Sequence, residues 1–205
     1  MTKTIIFDLG KVLIPFEIRR GYAALQRHCG CPAEEVPRRI AATDLVSRFE
    51  MGQLSGQQFF EEISALLDLE VSYSLFCEIW SSIFLPETLI PEGLLESLRA
   101  NYRLLLLSNT NAIHFAMVRE HYPLLRHFHD YVLSYQVGVL KPAPEIYQAA
   151  LACAGCLPRE CFYTDDIAEY VEAARRQGLD AVQFYSLAQL KEELGKRGVG
   201  WQGAK

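Results

Sequence analysis

Polar side chains suited to binding or catalysis stand at the ends of short apolar runs in the sequence. Asp8 follows the run of residues 4–7, and Asp165 and Asp166 end the run that begins at residue 161. A short apolar run that ends abruptly at polar residues is typical of a buried parallel strand reaching a loop. Ligands of an open parallel sheet bind beyond the carboxyl ends of its strands, so these carboxylates are candidates for one shared pocket.

Three further polar groups occupy equivalent places. Ser108 and Asn109 follow the apolar run of residues 103–107, and Lys141 follows the run of residues 130–133 by a short loop. Each of them alone has a plainer interpretation, because caps and turns use the same residue types. On strands that lie side by side, however, one pocket would receive three carboxylates, a hydroxyl, an amide and an ammonium. We interpret this combination as a functional site.

The elements that must position these residues alternate between strands and helices. Strands are predicted over residues 4–7, 103–107, 130–133, 161–163 and 181–184. Helical patterns lie between the later strands and after the last one, at residues 111–121, 143–154, 168–177 and 187–194. This alternation requires crossover connections, which give a parallel sheet with helices on both faces. The predicted fold class is therefore α/β, with a three-layer, Rossmann-like core.

The first connection is much longer than a crossover helix requires. About 90 residues separate the first two predicted strands, whereas a crossover needs roughly a dozen or more. Helical patterns fill this segment at residues 19–28, 33–46, 56–67 and 73–84, and a further helix is predicted at residues 91–100. We predict a helical subdomain over residues 16–86, inserted into a core formed by residues 1–15 and 87–200.

The overall composition argues against several classes of protein. The chain of 205 residues carries 20 Lys and Arg against 25 Asp and Glu, which gives a net charge of −5. Nucleic-acid binding usually depends on a concentrated basic face, so no nucleic-acid partner is expected. No apolar stretch approaches the roughly 20 residues that a membrane span requires, and no signal-peptide core precedes Asp8. We expect a soluble, cytoplasmic monomer or homodimer without a membrane partner, and its 6 cysteines as reduced thiols.

Four motifs follow one another along the chain: residues 5–10 (IIFDLG), 106–110 (LLSNT), 141–142 (KP) and 163–166 (YTDD). In type and order they resemble the motifs of the haloacid dehalogenase-like hydrolases. The helical insertion after the first motif is similar in position and size to the cap of the family's first cap class. Within the family, the motifs look most like the branch of sugar-phosphate phosphatases that act on glucose 1-phosphate. The resemblance covers nearly the whole chain.

The resemblance implies a Mg²⁺-dependent phosphatase acting on a small phosphorylated metabolite, with a sugar phosphate as the expected class. Asp8 is then the nucleophile and forms an aspartyl-phosphate that water hydrolyses. Lys141 pairs with Asp8 and with the phosphoryl oxygens, while Ser108 and Asn109 bind the phosphate. The implied metal ligands are oxygen atoms, which Mg²⁺ prefers, from Asp8, Gly10, Asp165 and Asp166. A cation among these carboxylates would offset their repulsion of a phosphate dianion.

Gly10 departs from the family pattern. Most phosphatases of the family carry a second Asp at this place, which protonates the leaving group and later activates water. Gly10 keeps a carbonyl for Mg²⁺ but supplies no acid, and general acid–base catalysis typically contributes about 10²–10⁴-fold. We therefore expect reduced activity unless Glu17 of the insertion, or a water, supplies the proton. Lys11 and Tyr170 also differ from the residues that many members have.

Two alternatives stay open at the level of the sequence. The first is a metal-independent 2-haloacid dehalogenase, in which Asp8 attacks carbon and displaces halide. Gly10 is compatible with it, but the adjacent pair of Asp165 and Asp166 argues against it. The second is a catalytically weak or silent relative that binds a ligand or a partner protein.

Residues near the insertion's ends suggest how it meets the core. Phe16, Trp80 and Phe84 are interpreted as residues that pack the insertion and its hinge rather than bind substrate. His114, three residues inside the helix after the second motif, is expected to reach the rim of the pocket. Side chains of the insertion that face the pocket would set specificity.

Overall fold

The computed structural model describes residues 1–32 and 34–201. Within these ranges its central element is one sheet of five strands. The strands are β1 (Thr4–Phe7), β2 (Arg103–Ser108), β3 (Asp130–Leu133), β4 (Cys161–Asp165) and β5 (Asp180–Gln183). They lie in the order β3–β2–β1–β4–β5, and every adjacent pair is parallel. The predicted α/β class is confirmed, and each predicted strand matches an observed strand to within two residues.

Helices α1 to α5 form the insertion that follows β1. They are α1 (Ile18–Gln26), α2 (Glu35–Ala41), α3 (Leu45–Glu50), α4 (Gly56–Leu67) and α5 (Tyr73–Ser81). A capping box starts α4: the Ser55 hydroxyl accepts from the Gln58 amide, and the Gln58 side chain accepts from the Ser55 amide. The apolar faces of these helices, with Phe49, Phe59 and Phe76 among them, form a cluster distinct from those of the sheet.

The remaining helices cover the sheet. They are α6 (Glu92–Arg99), α7 (Ala112–His121), α8 (Ser134–Val137), α9 (Pro144–Ala154), α10 (Ala168–Arg176) and α11 (Leu187–Lys196). Side chains of a strand alternate between faces, so Ile5 and Phe7 enter one apolar cluster and Ile6 enters the other. The first cluster includes residues of α6, α7 and α11, and the second includes residues of α9 and α10, which gives the three predicted layers. None of the helices in the described ranges has the length and apolarity needed to cross a bilayer.

Two short antiparallel segments connect the helical insertion to the core. The Glu17 amide donates to the Ile83 carbonyl (2.8 Å), and the Leu85 amide donates to the Pro15 carbonyl (3.0 Å). These hydrogen bonds lie beside the predicted limits of the insertion. The chain therefore leaves the core and re-enters it side by side, as an inserted subdomain requires.

The insertion differs from the sequence prediction in two places. The helix predicted over residues 33–46 is replaced by α2 and α3 with a turn between them, and residue 33 lies outside the described residues. Thr43 interrupts the helix, because its hydroxyl donates to the Ile40 carbonyl (2.8 Å) and accepts from the Leu45 amide (3.4 Å). The helix predicted over residues 73–84 ends at Ser81, because the chain beyond it pairs with the first hinge segment.

The turn between α3 and α4 touches the core through Gly52. Its φ is +68°, and a Cβ at this position would lie 2.0 Å from the carbonyl oxygen of Tyr135 in α8. The left-handed conformation and the close approach both favour glycine. Since α8 directly follows β3, this contact holds the end of α3 near the edge of the sheet where the strands end.

We expect Gly52→Ala to destabilise the protein more than Gly138→Ala does. Both glycines have a positive φ, but a Cβ at Gly138 would meet nothing within 4 Å. Both variants carry the cost of a left-handed alanine, about 1–2 kcal/mol, and Gly52→Ala adds the displacement of the Tyr135 backbone, about 1–3 kcal/mol. Urea unfolding followed by circular dichroism measures the difference. Equal losses of unfolding free energy would contradict the contact.

Candidate active site

The polar residues singled out in the sequence converge at one edge of the sheet. β1 lies between β2 and β4, at the point where the strand order reverses, and this is where open α/β sheets bind ligands. Asp8 follows β1, Ser108 is the last residue of β2, and Asp165 is the last residue of β4. All three side chains are buried.

Lys141 links these strand ends. Its ammonium donates to Asp8 Oδ1 (2.7 Å), to Asp165 Oδ2 (2.6 Å) and to the Leu107 carbonyl (3.2 Å), so it bridges three adjacent strands. The Asn109 side chain accepts from the Lys141 amide (2.8 Å) and donates to the Lys141 carbonyl (3.1 Å). The Lys141 ammonium thus lies beside Asp8, as predicted. The side-chain amide of Asn109 is hydrogen-bonded to the backbone of Lys141.

Burial and charge act against each other in this ion pair. Burial raises the pKa of Asp8, and the neighbouring Lys141 ammonium limits the shift. Burial alone would lower the pKa of Lys141, but the attraction of Asp8 and Asp165 outweighs it and raises that pKa above its usual range. The lysine is therefore a permanent cation at the strand ends.

Asp8, Asp165 and Asp166 form a group of carboxylates with one oxygen of each within 4.8 Å of the others. Asp165 Oδ1 accepts a backbone amide (2.9 Å), and its Oδ2 accepts from Lys141 and from the Tyr163 hydroxyl. Asp166 is half-buried, and burial together with the charge of Asp165 raises its pKa. A group of hard oxygen donors at this spacing is of the kind that binds a divalent cation.

Tyr170, one of the residues that departs from the family pattern, packs over Lys141. Its ring centre lies 5.1 Å from the lysine ammonium, and its hydroxyl accepts a long hydrogen bond from the Asn109 side chain (3.5 Å). Burial raises the pKa of Tyr170, so the hydroxyl stays neutral. The tyrosine covers the ion pair from the side of α10 and adds no negative charge to it.

Gly10 and Lys11 form a tight turn after β1. Lys11 has a φ of +56°, and its amide donates to the Ile14 carbonyl (2.8 Å). Its exposed ammonium lies 5.3 Å from the centre of the Phe16 ring. The same ring lies against Gly10, because a Cβ at Gly10 would be 2.6 Å from Phe16 Cε1. A side chain at position 10 therefore requires the ring to move.

A cavity of about 210 Å³ opens above this edge, between the sheet and the inserted helices. The core contributes Gly10, Ser108 and Asn109 to its lining. The insertion contributes mostly apolar and aromatic side chains, namely Phe16, Ile18, Tyr22, Trp80, Ile83 and Phe84. Phe16 packs against Phe84, and Trp80 packs against Phe59 and His114, as the interpretation of these residues as packing residues requires. Phe16, Trp80 and Phe84 also line the cavity, which that interpretation did not include.

Glu50 is the acidic residue among those that line the cavity, and the sequence analysis missed it. It ends α3, it makes no hydrogen bond or ion pair with another described residue, and burial raises its pKa to about 7. In the sequence, the residue that could have drawn attention to Glu50 is Gly52, two positions later. A glycine there indicates a tight turn, but it does not indicate which part of the protein the turn contacts. Glu17, the carboxylate that the sequence offered instead, is exposed at the hinge and does not line the cavity.

His114 lies buried in the cavity wall instead of at its rim. Its Nε2 is 3.0 Å from the Trp80 carbonyl, and its Nδ1 is 3.1 Å from the side-chain nitrogen of Asn111. A carbonyl only accepts, so Nε2 carries the proton and Nδ1 accepts from Asn111. Burial lowers the pKa of His114 to about 4, which makes it a neutral link between α7 and the end of α5.

These features define an α/β protein with a helical insertion after its first strand and with a lysine and a group of carboxylates at the switch point of its parallel sheet. The family model of the haloacid dehalogenase-like hydrolases matches residues 2–178. The chain belongs to this family of hydrolases, and the membership predicted from its motifs is confirmed.

Two relatives that match most of the chain in sequence are phosphatases. It is 26% identical over 200 residues to the D-ribitol-5-phosphate phosphatase of Bacteroides thetaiotaomicron, covering 95% of this chain and 97% of that protein. It is 28% identical over 186 residues to a phosphatase of Mycobacterium tuberculosis, covering 86% of this chain and 84% of that protein.

Solved structures share the fold. A haloacid dehalogenase-like family enzyme from Bacteroides thetaiotaomicron, in complex with magnesium and inorganic phosphate, matches with a TM-score of 0.81 and 26% identity, covering 91% of this chain and 96% of that chain. The L-2-haloacid dehalogenase of Xanthobacter autotrophicus matches with a TM-score of 0.61 and 20% identity, covering 98% of this chain and 85% of that chain. The second likeness concerns the fold alone.

We expect Glu50→Gln to raise the free energy of unfolding above that of the wild type, and to do so more at alkaline pH than at acidic pH. In the unfolded chain the carboxyl titrates near its ordinary pKa of 4.5, whereas in the folded protein it holds its proton up to about pH 7. Its contribution to stability is therefore complete below pH 4.5 and is lost as the pH rises through 7. Glutamine does not ionise, so the variant should gain up to about 3 kcal/mol over the wild type between these limits.

Urea unfolding of the metal-free protein on both sides of this interval checks the expectation. Glu61→Gln, which neutralises an exposed glutamate of α4, is the matched control and should leave the pH dependence of stability unchanged. The same pH dependence in Glu50→Gln and in the wild type would contradict the raised pKa of the half-buried Glu50.

Proposed function

We propose that the protein is a Mg²⁺-dependent phosphatase that hydrolyses a small phosphorylated metabolite through an aspartyl-phosphate on Asp8. The observation that carries the proposal is the position of Asp8, within the group of three carboxylates and 2.7 Å from the Lys141 ammonium, at the edge of the sheet below the cavity. The phosphatase activities of the two relatives support the same reaction class.

The oxygen atoms that we propose for Mg²⁺ come from Asp8, Asp166 and the Gly10 carbonyl, with Asp165 in the same group. The oxygens of Asp165 already accept protein donors, so we assign it mainly to anchoring Lys141 and to the charge of the site. Bound Mg²⁺ would neutralise the charge of a phosphate dianion held among these carboxylates.

Each remaining polar group has a role in the proposed reaction. Asp8 attacks phosphorus, and the Lys141 ammonium favours its ionised form and orients it. Ser108 makes a long hydrogen bond to the Asn109 carbonyl (3.3 Å), so its hydroxyl can turn to a phosphoryl oxygen. Asn109 lines the cavity and fixes the backbone of Lys141, so we assign it to positioning the lysine as well as to phosphate binding.

We further propose that residues 16–86 act as a cap and that the substrates are sugar or sugar-alcohol phosphates. The cavity lies between the insertion and the strand ends, so the leaving group would face the inserted helices. A volume of about 210 Å³ suits a single small metabolite, and the relative in Bacteroides thetaiotaomicron acts on D-ribitol 5-phosphate. The expectations of a cytoplasmic monomer or homodimer without a nucleic-acid or membrane partner stand beside this proposal.

We expect the purified protein to release phosphate from sugar phosphates and from 4-nitrophenyl phosphate in the presence of Mg²⁺, and EDTA to stop the release reversibly. Asp8→Asn should lower kcat/KM by at least about 10³-fold, because it removes the nucleophile. Asp44→Asn, which changes an exposed carboxyl of the insertion, is the matched control. A colorimetric phosphate assay over a panel that includes ribitol 5-phosphate and glucose 1-phosphate provides the measurement.

The same experiments separate the alternatives. Halide release from a 2-haloacid, unaffected by EDTA, would assign the site to dehalogenation. Calorimetric binding of Mg²⁺ and phosphate without turnover of any ester in the panel would assign the protein to ligand binding. Equal activities of Asp8→Asn and the wild type would remove the covalent mechanism.

A further inference from the structure

Phe16 fills the space in which an acid at position 10 would stand. A Cβ built on Gly10 lies 2.6 Å from Phe16 Cε1 and 3.1 Å from Phe16 Cδ1. The ring is itself held by Phe84, whose ring centre is 6.1 Å away, and by the backbone pairing of these two residues at the hinge. The place from which the family usually supplies its acid is therefore occupied by packing, and any acid of this site must come from elsewhere.

Glu50, at the end of α3, brings a carboxyl to the same cavity. It lines the cavity together with Gly10, Ser108 and Asn109, and its neighbours on the inserted helices are mainly apolar. No other residue lining the cavity, within the described ranges, is an Asp or a Glu. The Glu50 carboxyl therefore makes no hydrogen bond within the described residues that would compete with one to a bound molecule.

The backbone that carries Glu50 is fixed relative to the core. Two residues beyond it, Gly52 meets the Tyr135 carbonyl so closely that no side chain fits between them. The other end of the insertion is tied by the hinge at Phe16 and Phe84. Glu50 thus lies on a segment that contacts the core independently of the hinge. A catalytic acid needs such a fixed support, because its carboxyl must stay within hydrogen-bond reach of the leaving group.

The other titratable groups around the cavity do not compete for this role. His114 is neutral, with Nε2 donating to the Trp80 carbonyl and Nδ1 accepting from Asn111. Burial raises the pKa of Tyr22 on α1, so its hydroxyl remains a weak acid. Tyr170 on α10 is close enough that the charge of Glu50 contributes to the rise of its pKa, but it stands over Lys141 and outside the cavity lining.

We propose that Glu50 is the general acid and base of this site, an inference that rests on the phosphatase function proposed above. As Asp8 forms its bond to phosphorus and the bond from phosphorus to the leaving oxygen breaks, the Glu50 carboxyl gives its proton to that oxygen. The resulting Glu50 carboxylate takes a proton from the water that attacks the phosphorus of the aspartyl-phosphate. The bond from Asp8 to phosphorus breaks, phosphate leaves, and both carboxyl groups return to their starting states.

Burial supports the assignment, because it raises the pKa of Glu50 to about 7. A group that titrates there is populated in both forms near neutral pH, which suits one residue acting first as acid and then as base. No neighbouring charge contributes to this shift, so it depends on the apolar walls of the cavity.

The test compares leaving groups in Glu50→Gln. Ribitol 5-phosphate leaves as an alkoxide and needs a proton, whereas 4-nitrophenyl phosphate leaves as a stable anion and does not. In single-turnover experiments with Mg²⁺, the variant should form the aspartyl-phosphate from ribitol 5-phosphate about 10²–10⁴-fold more slowly than the wild type does. From 4-nitrophenyl phosphate it should give a burst of nitrophenolate at nearly the wild-type rate, followed by slow hydrolysis of the phosphoenzyme.

The controls separate this inference from the proposed function. Glu61→Gln, at an exposed position of α4, should match the wild type on both esters. If Glu50→Gln slowed phosphoenzyme formation equally from both esters, or from neither, the role of Glu50 would be overturned. A loss in Glu17→Gln that affects only ribitol 5-phosphate would overturn it as well. The normal burst with 4-nitrophenyl phosphate also reports that the variant is folded. By contrast, a wild type that forms no phosphoenzyme from either ester would overturn the phosphatase proposal itself.

Discussion

The Lys141 ammonium, enclosed between Asp8 and Asp165, is the interaction around which the candidate site is arranged. Removing ionised groups from water costs several kcal/mol for each ion, so they persist only where good geometry and further hydrogen bonds compensate. Lys141 meets that condition with two carboxylates and the Leu107 carbonyl, which together belong to three adjacent strand ends. Asn109 completes the arrangement by holding the backbone of the lysine. Neighbouring strands must end in register for this cluster to form.

The charges of the cluster do not cancel. Asp166 lies beside the pair, so three carboxylates outnumber the buried Lys141 ammonium and the exposed Lys11 ammonium that also acts on Asp166. The remaining negative charge would repel an anionic substrate, and a divalent cation bound there would offset it. The electrostatic argument for a metal therefore follows from the protein's own residues, and it agrees with the magnesium and phosphate bound by the structural relative from Bacteroides thetaiotaomicron.

The core and its strand-end residues could be predicted because both depend on local patterns. A strand buried on both faces must be apolar along its length, so its end is visible as an abrupt change to polar residues, as at Asp8. The side of the cavity formed by the insertion could not be predicted in this way. Glu50 lines the cavity on a segment that Gly52 packs against Tyr135, and sequence periodicity does not indicate a contact between segments so far apart in the chain. The break between α2 and α3 was also missed, because it depends on the two hydrogen bonds of the Thr43 hydroxyl.

The contact between Gly10 and Phe16 has an evolutionary consequence. Because the ring stands where a side chain at position 10 would begin, the two positions are not independent: an aspartate at 10 becomes sterically acceptable only after Phe16 has been replaced by a smaller residue or has turned away. Phe16 in turn pairs with Phe84 at the hinge, so that replacement would also loosen the connection between the insertion and the sheet. In a protein with this hinge, the usual two-aspartate arrangement therefore requires more than the change at position 10, because the Phe16 ring must also move or be replaced.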